Sequence, residues 1–241
     1  MTTLLRISVV VMSLAASNLL GQTVQIVDNS LAGSPVSLRG SVTFGPGGPN
    51  DVACAMNATS LSSNPIILIA VDLTFTSPSG QSAEFTFRHD HFFNTNLMTR
   101  PGVTFPVIGD PGACAMGAES AEHQPAPASA KASVAFVEFG DGSAWSIGGK
   151  ASSDLVAYVT KQRQTALAYL QSLQSAYTSG GVAGLQSELS KPMRQGSMVS
   201  SKRAGLLMTL DMSGMQGVIN QINSNLATAQ ANQASLVPKL E

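Results

Sequence analysis

The chain has 241 residues and a formal net charge of −1 at pH 7, and only 11% of its residues are charged. This charged fraction is less than half of the roughly 25% usual in soluble domains, and small residues such as Ala, Ser, Gly and Thr take its place. The composition therefore excludes a strongly ionic surface, while the length allows one or two domains with a buried core.

The first residues have the pattern of a secretory signal peptide. Arg6 gives a cationic start, residues 7–16 form an apolar run, and small residues follow it. The run is shorter than the roughly 20 apolar residues that a membrane-spanning helix needs. We therefore expect residues 1–22 to be a signal peptide, cleaved after Ser17 or near Gln22. The mature protein is expected to be periplasmic or secreted and to have no membrane span.

Residues 23–149 have a hydrophobic period of two, which indicates β-strands. The clearest strand is 66–76, in which alternate residues from Ile67 to Phe75 are apolar and the first residues are apolar on both faces. Turns rich in Pro, Gly and Ser separate the strands, and no helical pattern lies between them. Short strands at this spacing predict an immunoglobulin-like antiparallel β-sandwich over 23–149.

The two cysteines, Cys54 and Cys114, both lie in this β region. Each occupies the same tetrapeptide, Ala-Cys-Ala-Met, whose small residues allow two segments of chain to approach closely. An even number of cysteines in an oxidising compartment favours a structural disulfide between them. Two buried thiols and metal ligation are the alternatives.

A second candidate site is the segment His89-Asp90-His91. Two histidines at i and i+2 on a strand point to the same face, roughly 7 Å apart, so that both can bind one metal ion. Imidazole combined with soft ligands favours copper or zinc. The alternative is that both histidines share a core face with the neighbouring phenylalanines and bond backbone carbonyls. The candidate third ligands are His123, Asp110 and the pair Cys114 and Met116.

A short hairpin motif closes the β region. It consists of Phe139, the turn Asp141-Gly142-Ser143 and Trp145, and an Asp-Gly turn between two apolar segments is typical of a β-hairpin. The motif resembles the F-x-DG-[ST]-x-W hairpin of exported bacterial proteins that have an immunoglobulin-like domain of unknown function followed by a helical segment. The resemblance implies a bacterial, periplasmic or secreted protein, and it implies no activity.

At about residue 150 the hydrophobic period changes to that of an α-helix. Ser152 begins an N-cap segment, and Gly180-Gly181 ends the first helical pattern; shorter patterns follow, the last from Asp211. We therefore predict an amphipathic helical tail over 150–241 that docks on the sandwich, associates with itself or binds a partner protein. The first stripe comprises Leu155, Val159, Ala166, Leu170, Leu173 and Tyr177, and the last comprises Met212, Met215, Ile219, Ile222 and Leu226.

Charge is divided unevenly between the two regions. Residues 23–149 contain ten acidic and four basic residues, whereas 150–241 contain four acidic and eight basic ones. Either the basic tail folds onto the acidic sandwich, or it meets an anionic partner. The densest basic patch lacks the interleaved aromatic residues of nucleic-acid-binding proteins, so we expect no nucleic acid partner. This patch comprises Lys191, Arg194, Lys202 and Arg203.

The sequence contains no recognisable catalytic motif. It has no Gly-x-Ser-x-Gly elbow, no His-Glu-x-x-His zinc motif and no phosphate-binding glycine loop. We therefore expect a non-enzymatic, exported interaction or structural module of the cell envelope that needs no cofactor. Its partner would be an unidentified protein or a second copy of the chain. The alternative hypothesis is a periplasmic copper- or zinc-binding protein that uses His89 and His91.

Overall fold

The structure is a computed structural model, and it describes residues 22–44, 52–76, 80, 82–94, 99–108, 129–192 and 198–240. In this part of the chain, eight strands are followed by two long helices, a short 3₁₀ helix and a ninth, two-residue strand. The expected order, a β-rich region followed by a C-terminal helical region, is confirmed. The signal peptide predicted over 1–22 lies outside the described residues, apart from Gln22.

The strands are β1 (Gln22–Asp28), β2 (Val36–Phe44), β3 (Val52–Ser60), β4 (Ile66–Thr76), β5 (Ser82–Asp90), β6 (Thr104–Ile108), β7 (Ser129–Phe139), β8 (Ser143–Ser146) and β9 (Lys239–Leu240). They form one mixed sheet whose main path is β5-β4-β7-β1-β2-β3-β6, with β8 on β7 and β9 on β8. β2 is antiparallel to β1 and β3, whereas β1 is parallel to β7. The pairing forms one connected path, and the predicted purely antiparallel arrangement is wrong, because β1 is parallel to β7 and β9 is parallel to β8.

The contacts divide the chain into two compact units, each of them discontinuous in sequence. Unit 1 comprises the described residues of Met1–Ser63, Ala70–His89 and Pro101–Ala135. Unit 2 comprises those of Asn64–Ile69, Asp90–Arg100 and Phe136–Glu241. The second unit therefore combines the helices with three segments from the β region.

The core of unit 1 follows the expected period of two. On β2, Val36, Leu38 and Val42 are buried, and on β3 every second residue from Cys54 to Ser60 is buried. The residues between them on β3 are exposed or half-buried. Side chains on alternate positions of paired strands thus share one apolar layer, as the sequence predicts.

The two end strands of the main path, β5 and β6, approach each other in unit 1. The ring Nε2 of His89 on β5 lies 2.5 Å from the carbonyl oxygen of Val107 on β6. Pro106 also lies on β6, and proline is tolerated in a strand mainly at a sheet edge because it has no amide hydrogen to donate. In the described part of the chain, this side-chain bond therefore links two end strands that are not paired through their main chains.

In unit 2, β7 and β8 form the hairpin expected from the Asp-Gly turn. The carboxylate of Asp141 accepts hydrogen bonds from the amide (3.0 Å) and the hydroxyl (2.7 Å) of Ser143. These bonds lower the pKa of Asp141. Asn64 donates a further bond of 2.8 Å to the same carboxylate, and the amide of Gly140 bonds the carbonyl of Pro65. The hairpin is thus fixed to the segment that begins β4.

Both helices contain a sharp break at a glycine. In α1 (Gly149–Leu189) the break lies at Gly181, with φ 60° and ψ −148°; in α2 (Met198–Ala231) it lies at Gly214, with φ 67° and ψ −171°. Glycine adopts a positive φ readily, because it has no Cβ. Each helix therefore consists of two helical segments joined at one glycine.

After each break the chain folds back closely on the preceding segment. A Cβ atom added to Gly184 would lie 2.4 Å from the carbonyl oxygen of Ala176. One added to Gly217 would lie 2.6 Å from Cβ of Ser213 and 3.3 Å from Cγ2 of Thr209, which precedes it by eight residues. In a straight helix residues 176 and 184 are about 12 Å apart along the axis. The two helices are therefore tight helical hairpins.

The predicted apolar stripes supply five of the thirteen described buried residues of the unit 2 core, namely Ala166, Leu170, Leu173, Ile219 and Ile222. Met212 departs from the prediction, because the break at Gly214 separates it from the later residues of its stripe, and its side chain is exposed. Neither helix of the described chain combines the length and the apolar character needed to cross a membrane. The buried core residues of unit 2 are Ile67, Phe92, Phe93, Ala166, Leu170, Leu173, Leu185, Leu189, Leu206, Val218, Ile219, Ile222 and Ala229.

Candidate interaction site

Three connections of the chain meet at one end of unit 1. They are residues 29–35 between β1 and β2, residues 61–63 after β3, and residues 101–103 before β6. The amide of Leu61 donates to the carbonyl of Pro35 at 2.8 Å. The amide of Ser60 donates to the carbonyl of Val103 at 3.2 Å, and that of Gly102 to the carbonyl of Ser60 at 3.1 Å. Main-chain hydrogen bonds thus hold the connections 29–35 and 101–103 against the end of β3 and the residue that follows it.

Side chains hold the first of these connections in addition. The carboxylate of Asp28 accepts hydrogen bonds from the amides of Ser30 (3.0 Å) and Leu38 (2.8 Å). The hydroxyl oxygen of Ser30 in turn accepts a bond of 3.0 Å from the amide of Val134 on β7. Asp and Ser side chains that bond nearby amides in this way order a turn. The connection therefore has a defined backbone before any partner binds.

Each of the three connections exposes one large apolar side chain. Leu31 is 57% exposed, Leu61 64% and Val103 45%. A single exposed leucine is common on protein surfaces, but apolar residues grouped on neighbouring connections are typical of a binding surface. We call this group, Leu31, Leu61 and Val103, the apolar loop end.

The apolar loop end carries no charge of its own. Residues 29–35, 60–63 and 101–104 contain no Lys, Arg, Asp or Glu, and their polar side chains are mainly hydroxyl groups. A charged ligand would therefore find no counter-ion in these connections. The surface fits an uncharged, apolar partner surface, whose binding depends on removing apolar area from water.

Unit 2 contains a different polar site, a buried ion cluster around Arg163 of α1. Its guanidinium is fully buried and donates two hydrogen bonds of 2.9 Å to Asp90. It also donates bonds of 3.2 and 2.7 Å to Glu138 of β7, and one to the carbonyl of Ser235 in the 3₁₀ helix Gln233–Ser235. These bonds use all five N–H groups of the guanidinium.

Burial and the neighbouring charges both shift the pKa values of Glu138 and Arg163. Burial raises the pKa of the Glu138 carboxyl above its ordinary 4.5, because the bonds and charge of Arg163 compensate only partly for the lost water. Burial alone would lower the pKa of Arg163, but Asp90 and Glu138 raise it. Since Arg163 has no N–H group left for a ligand, we interpret the cluster as a structural centre of unit 2.

The turn that follows β5 brings two aromatic rings next to two cations. The guanidinium carbon of Arg163 lies 4.7 Å from the ring centre of Phe92, and Nζ of Lys202 lies 4.5 Å from that of Phe93. Burial lowers the pKa of Lys202, although the charge of Asp90 opposes this effect. Since Arg163 belongs to α1 and Lys202 to α2, the turn joins the two helices of unit 2.

The histidines proposed as metal ligands lie in different settings. His89 bonds the carbonyl of Val107, whereas His91 follows the end of β5 and its amide donates to the carbonyl of Ile67. His123, Asp110 and Met116 lie outside the described residues. Within the described ranges, no three His, Cys, Asp or Glu side chains are arranged to hold a metal. The metal-binding hypothesis thus stays a prediction.

The described members of the predicted basic patch make contacts within unit 2. Lys191 forms an ion pair with Glu188 at 2.5 Å. Lys202 lies over Phe93, and Arg203 is half-buried. Arg194 lies outside the described residues. Of these cations, only the side chain of Lys191 has most of its surface in solvent, so the described part gives no support to an open basic face.

The predicted disulfide falls partly outside the described chain. Cys54 lies on the buried side of β3, with its Cα paired to that of Val42 on β2. No cysteine is free in the part of the chain that the structure describes. Because Cys114 is outside this part, the disulfide between Cys54 and Cys114 stays a prediction.

Sequence reasoning did not identify Arg163 or the apolar loop end. Arg163 stands four residues after Val159 and three before Ala166, which places a cation within the predicted buried stripe. A charge in such a position signals a buried ion pair. Leu31 and Leu61 similarly interrupt turn segments that are otherwise polar or small, and this was the available signal for an exposed apolar site.

The comparisons with known proteins give no identity. The chain matches no protein-family model, no curated protein and no solved structure.

Proposed function

We propose that the chain is a non-enzymatic, exported interaction module of the cell envelope that binds a protein partner through the apolar loop end. The observation that carries this proposal is the exposure of Leu31, Leu61 and Val103 on three connections that main-chain hydrogen bonds join around the end of β3. Protein interfaces commonly depend on a few apolar residues presented by ordered loops on a rigid framework.

A rigid apolar contact surface is energetically favourable for binding. Burying a leucine or valine side chain fully contributes about 1.5–3 kcal/mol relative to leaving it exposed. A loop that is already ordered loses less conformational entropy on binding, so more of this contribution appears as affinity. The bonds of Asp28 and Ser30 supply such order in the connection that carries Leu31.

We further propose that the β region is of the immunoglobulin-like sandwich type and that the chain is related to the exported bacterial proteins whose hairpin motif it shares. One observation supports the relationship: the motif hairpin has the expected Asp-Gly turn, with the Asp141 carboxylate bonded to Ser143. In immunoglobulin-like domains, binding loops cluster at one end of the strands, as the apolar loop end does.

The contact surface can be tested by site-specific photocrosslinking in the producing cell. A photoreactive residue is placed at Leu61, and in a matched control at Glu84, an exposed polar position on β5. We expect a discrete adduct from position 61, identified by mass spectrometry, and none from position 84. The adduct should disappear when Leu31→Ser and Val103→Ser are added.

The same variants need a test of folding, because a lost adduct must not reflect unfolding. Leu31 and Val103 are exposed, so we expect their replacement by serine to change the free energy of unfolding by less than about 0.5 kcal/mol. Equal adducts from positions 61 and 84, or an adduct that survives both serine substitutions in a folded protein, would contradict the proposed surface.

The exported setting is tested by the intact mass of the protein recovered from the cell envelope or medium. We expect the mass to show removal of an N-terminal segment ending between Ser17 and about Gln22. Reduction should add the mass of two hydrogens if Cys54 and Cys114 are bonded. A full-length mass in a purely cytoplasmic fraction would contradict export.

A further inference from the structure

The first segment of α2 presents three donor side chains on one exposed face. Met208 is 62% exposed and Met212 68%, and Asp211 between them is also exposed. Their spacing is i, i+3 and i+4, the spacing of neighbours on a helix surface. All three precede the break at Gly214, so they belong to one continuous helical segment.

The opposite face of this segment makes the contacts that hold it in unit 2. Leu206 is buried in the helical core, and the hydroxyl of Thr209 donates a hydrogen bond of 2.5 Å to the side chain of Gln221. The two methionines are therefore outside the core. Packing, which is the usual reason for a methionine in an amphipathic helix, does not account for Met208 and Met212.

We propose that Met208, Asp211 and Met212 form a binding site for a soft monovalent cation, Cu(I) or Ag(I). Thioether sulfur is a soft ligand that selects such ions over Zn²⁺ and Mg²⁺, which prefer nitrogen and oxygen. The Cβ atoms of residues i and i+4 are about 5–6 Å apart, and each methionine side chain has three rotatable bonds. Both sulfurs can therefore reach one ion above the helix face.

Asp211 completes the site by its charge. Two neutral thioethers leave the positive charge of a bound ion uncompensated, whereas one carboxylate beside them makes the complex neutral. Among the described residues, Asp211 has no ion-pair partner that would compete for it. The three side chains thus offer a two-sulfur, one-oxygen set with the charge that a monovalent cation needs.

The site can be tested by NMR on the full chain with ¹³C-labelled methionine methyl groups. Ag⁺ serves as a redox-inert probe, and Cu(I) is then titrated under anaerobic, reducing conditions. We expect the methyl signals of Met208 and Met212 to shift together with a stoichiometry of one ion, and the signal of buried Met56 to stay unchanged. Zn²⁺ should shift neither signal.

Matched variants separate the site from an apolar surface. Met208→Leu with Met212→Leu keeps the apolar area but removes both sulfurs, and should weaken Ag⁺ binding by about tenfold or more. Asp211→Asn should weaken it by a smaller factor, and Met215→Leu should leave it unchanged. All of these variants should unfold at the same denaturant concentration as the wild type, except for a small change at half-buried Met215.

Three results would overturn the proposal. They are the absence of a shift at both methyl groups with Ag⁺, equal Ag⁺ affinity in the double leucine variant, and an equal response to Zn²⁺. Binding of Ag⁺ without binding of Cu(I) would limit the site to silver and overturn the assignment to copper.

Discussion

Asp90 and Arg163 meet side by side, with Nε on Oδ2 and Nη2 on Oδ1, both at 2.9 Å. This paired arrangement is the strongest geometry available to a carboxylate and a guanidinium. It joins residues 73 positions apart in sequence. Arg163 also bonds Glu138 and the carbonyl of Ser235, so its guanidinium contacts three separate segments of unit 2.

Replacing Arg163 should therefore destabilise the protein strongly. Arg163→Met leaves the carboxylates of Asp90 and Glu138 close together in a buried environment, and such a loss typically costs about 3–5 kcal/mol. The measurement is chemical denaturation at pH 7. Lys161→Met removes an exposed cation from the same helix and should change the free energy of unfolding by less than about 0.5 kcal/mol.

A second variant separates charge from packing at this cluster. Combining Arg163→Met with Asp90→Asn and Glu138→Gln removes all three charges, so it should recover part of the lost stability. If the single and the triple variants are equally unstable, lost packing rather than unpaired charge is the cause.

Glu138 predicts a dependence of stability on pH. Its folded pKa is raised above the ordinary 4.5, so the folded protein binds this proton more tightly than the unfolded chain. Stability from this group is therefore present below pH 4.5 and is lost as pH rises through the raised pKa. Glu138→Gln cannot lose a proton, so the difference in stability between variant and wild type should change in favour of the variant over this range. Denaturation curves at several pH values measure it, and a constant difference would contradict the shift.

The helical hairpins predict opposite effects of the same substitution at different glycines. Gly184→Ala should destabilise the protein by about 1–3 kcal/mol, because its Cβ would meet the carbonyl oxygen of Ala176. Gly205→Ala is the control, since an added Cβ there meets nothing within 4 Å. In a helical position with space, alanine should stabilise by about 0.4–1 kcal/mol. Thermal unfolding of the two variants tests this, and a change of the same sign in both would contradict the close approach.

His89 is expected to contribute to stability through its bond to Val107. His89→Ala should destabilise unit 1 by about 1 kcal/mol, because the carbonyl loses its partner. Glu84→Ala, an exposed position on the same strand, should have a much smaller effect. Metal analysis of the same preparations tests the rival hypothesis. Stoichiometric copper or zinc in the wild type that is lost with His89→Ala would favour metal binding.

Local patterns in the sequence predicted the elements well but not their arrangement. The strand 66–76, the Asp141 hairpin and the start of the helical region near residue 150 all depend on short-range periodicity and turn chemistry. The parallel pairing of β1 with β7 joins Ile26 to Ala130. A hydrophobic period carries no information on such a distant partner, so the strand order was not predictable.

The sequence did not predict the Arg163 ion cluster or the apolar loop end, and the physical reason differs between the two. A charge in the apolar stripe marked Arg163 as unusual, but its carboxylate partners are distant in sequence and only the fold brings them to it. At the apolar loop end, the sequence shows a leucine in each of two turns, while its exposure depends on the hydrogen bonds that hold the turns. Composition alone cannot distinguish an exposed leucine from a buried one.

Arg163 donates a hydrogen bond to the carbonyl of Ser235, which lies 72 residues further along the chain. The strand β9, which follows Ser235, pairs with β8. Unit 2 also includes Asn64–Ile69, which contains the first four residues of β4, all of them apolar and buried. During synthesis this segment leaves the ribosome long before the residues that complete its unit. Contacts of such sequence separation form slowly. Under the proposed export this delay has a consequence: the polypeptide stays unfolded until translocation is complete, and chaperones that bind unfolded chains would protect it on the way.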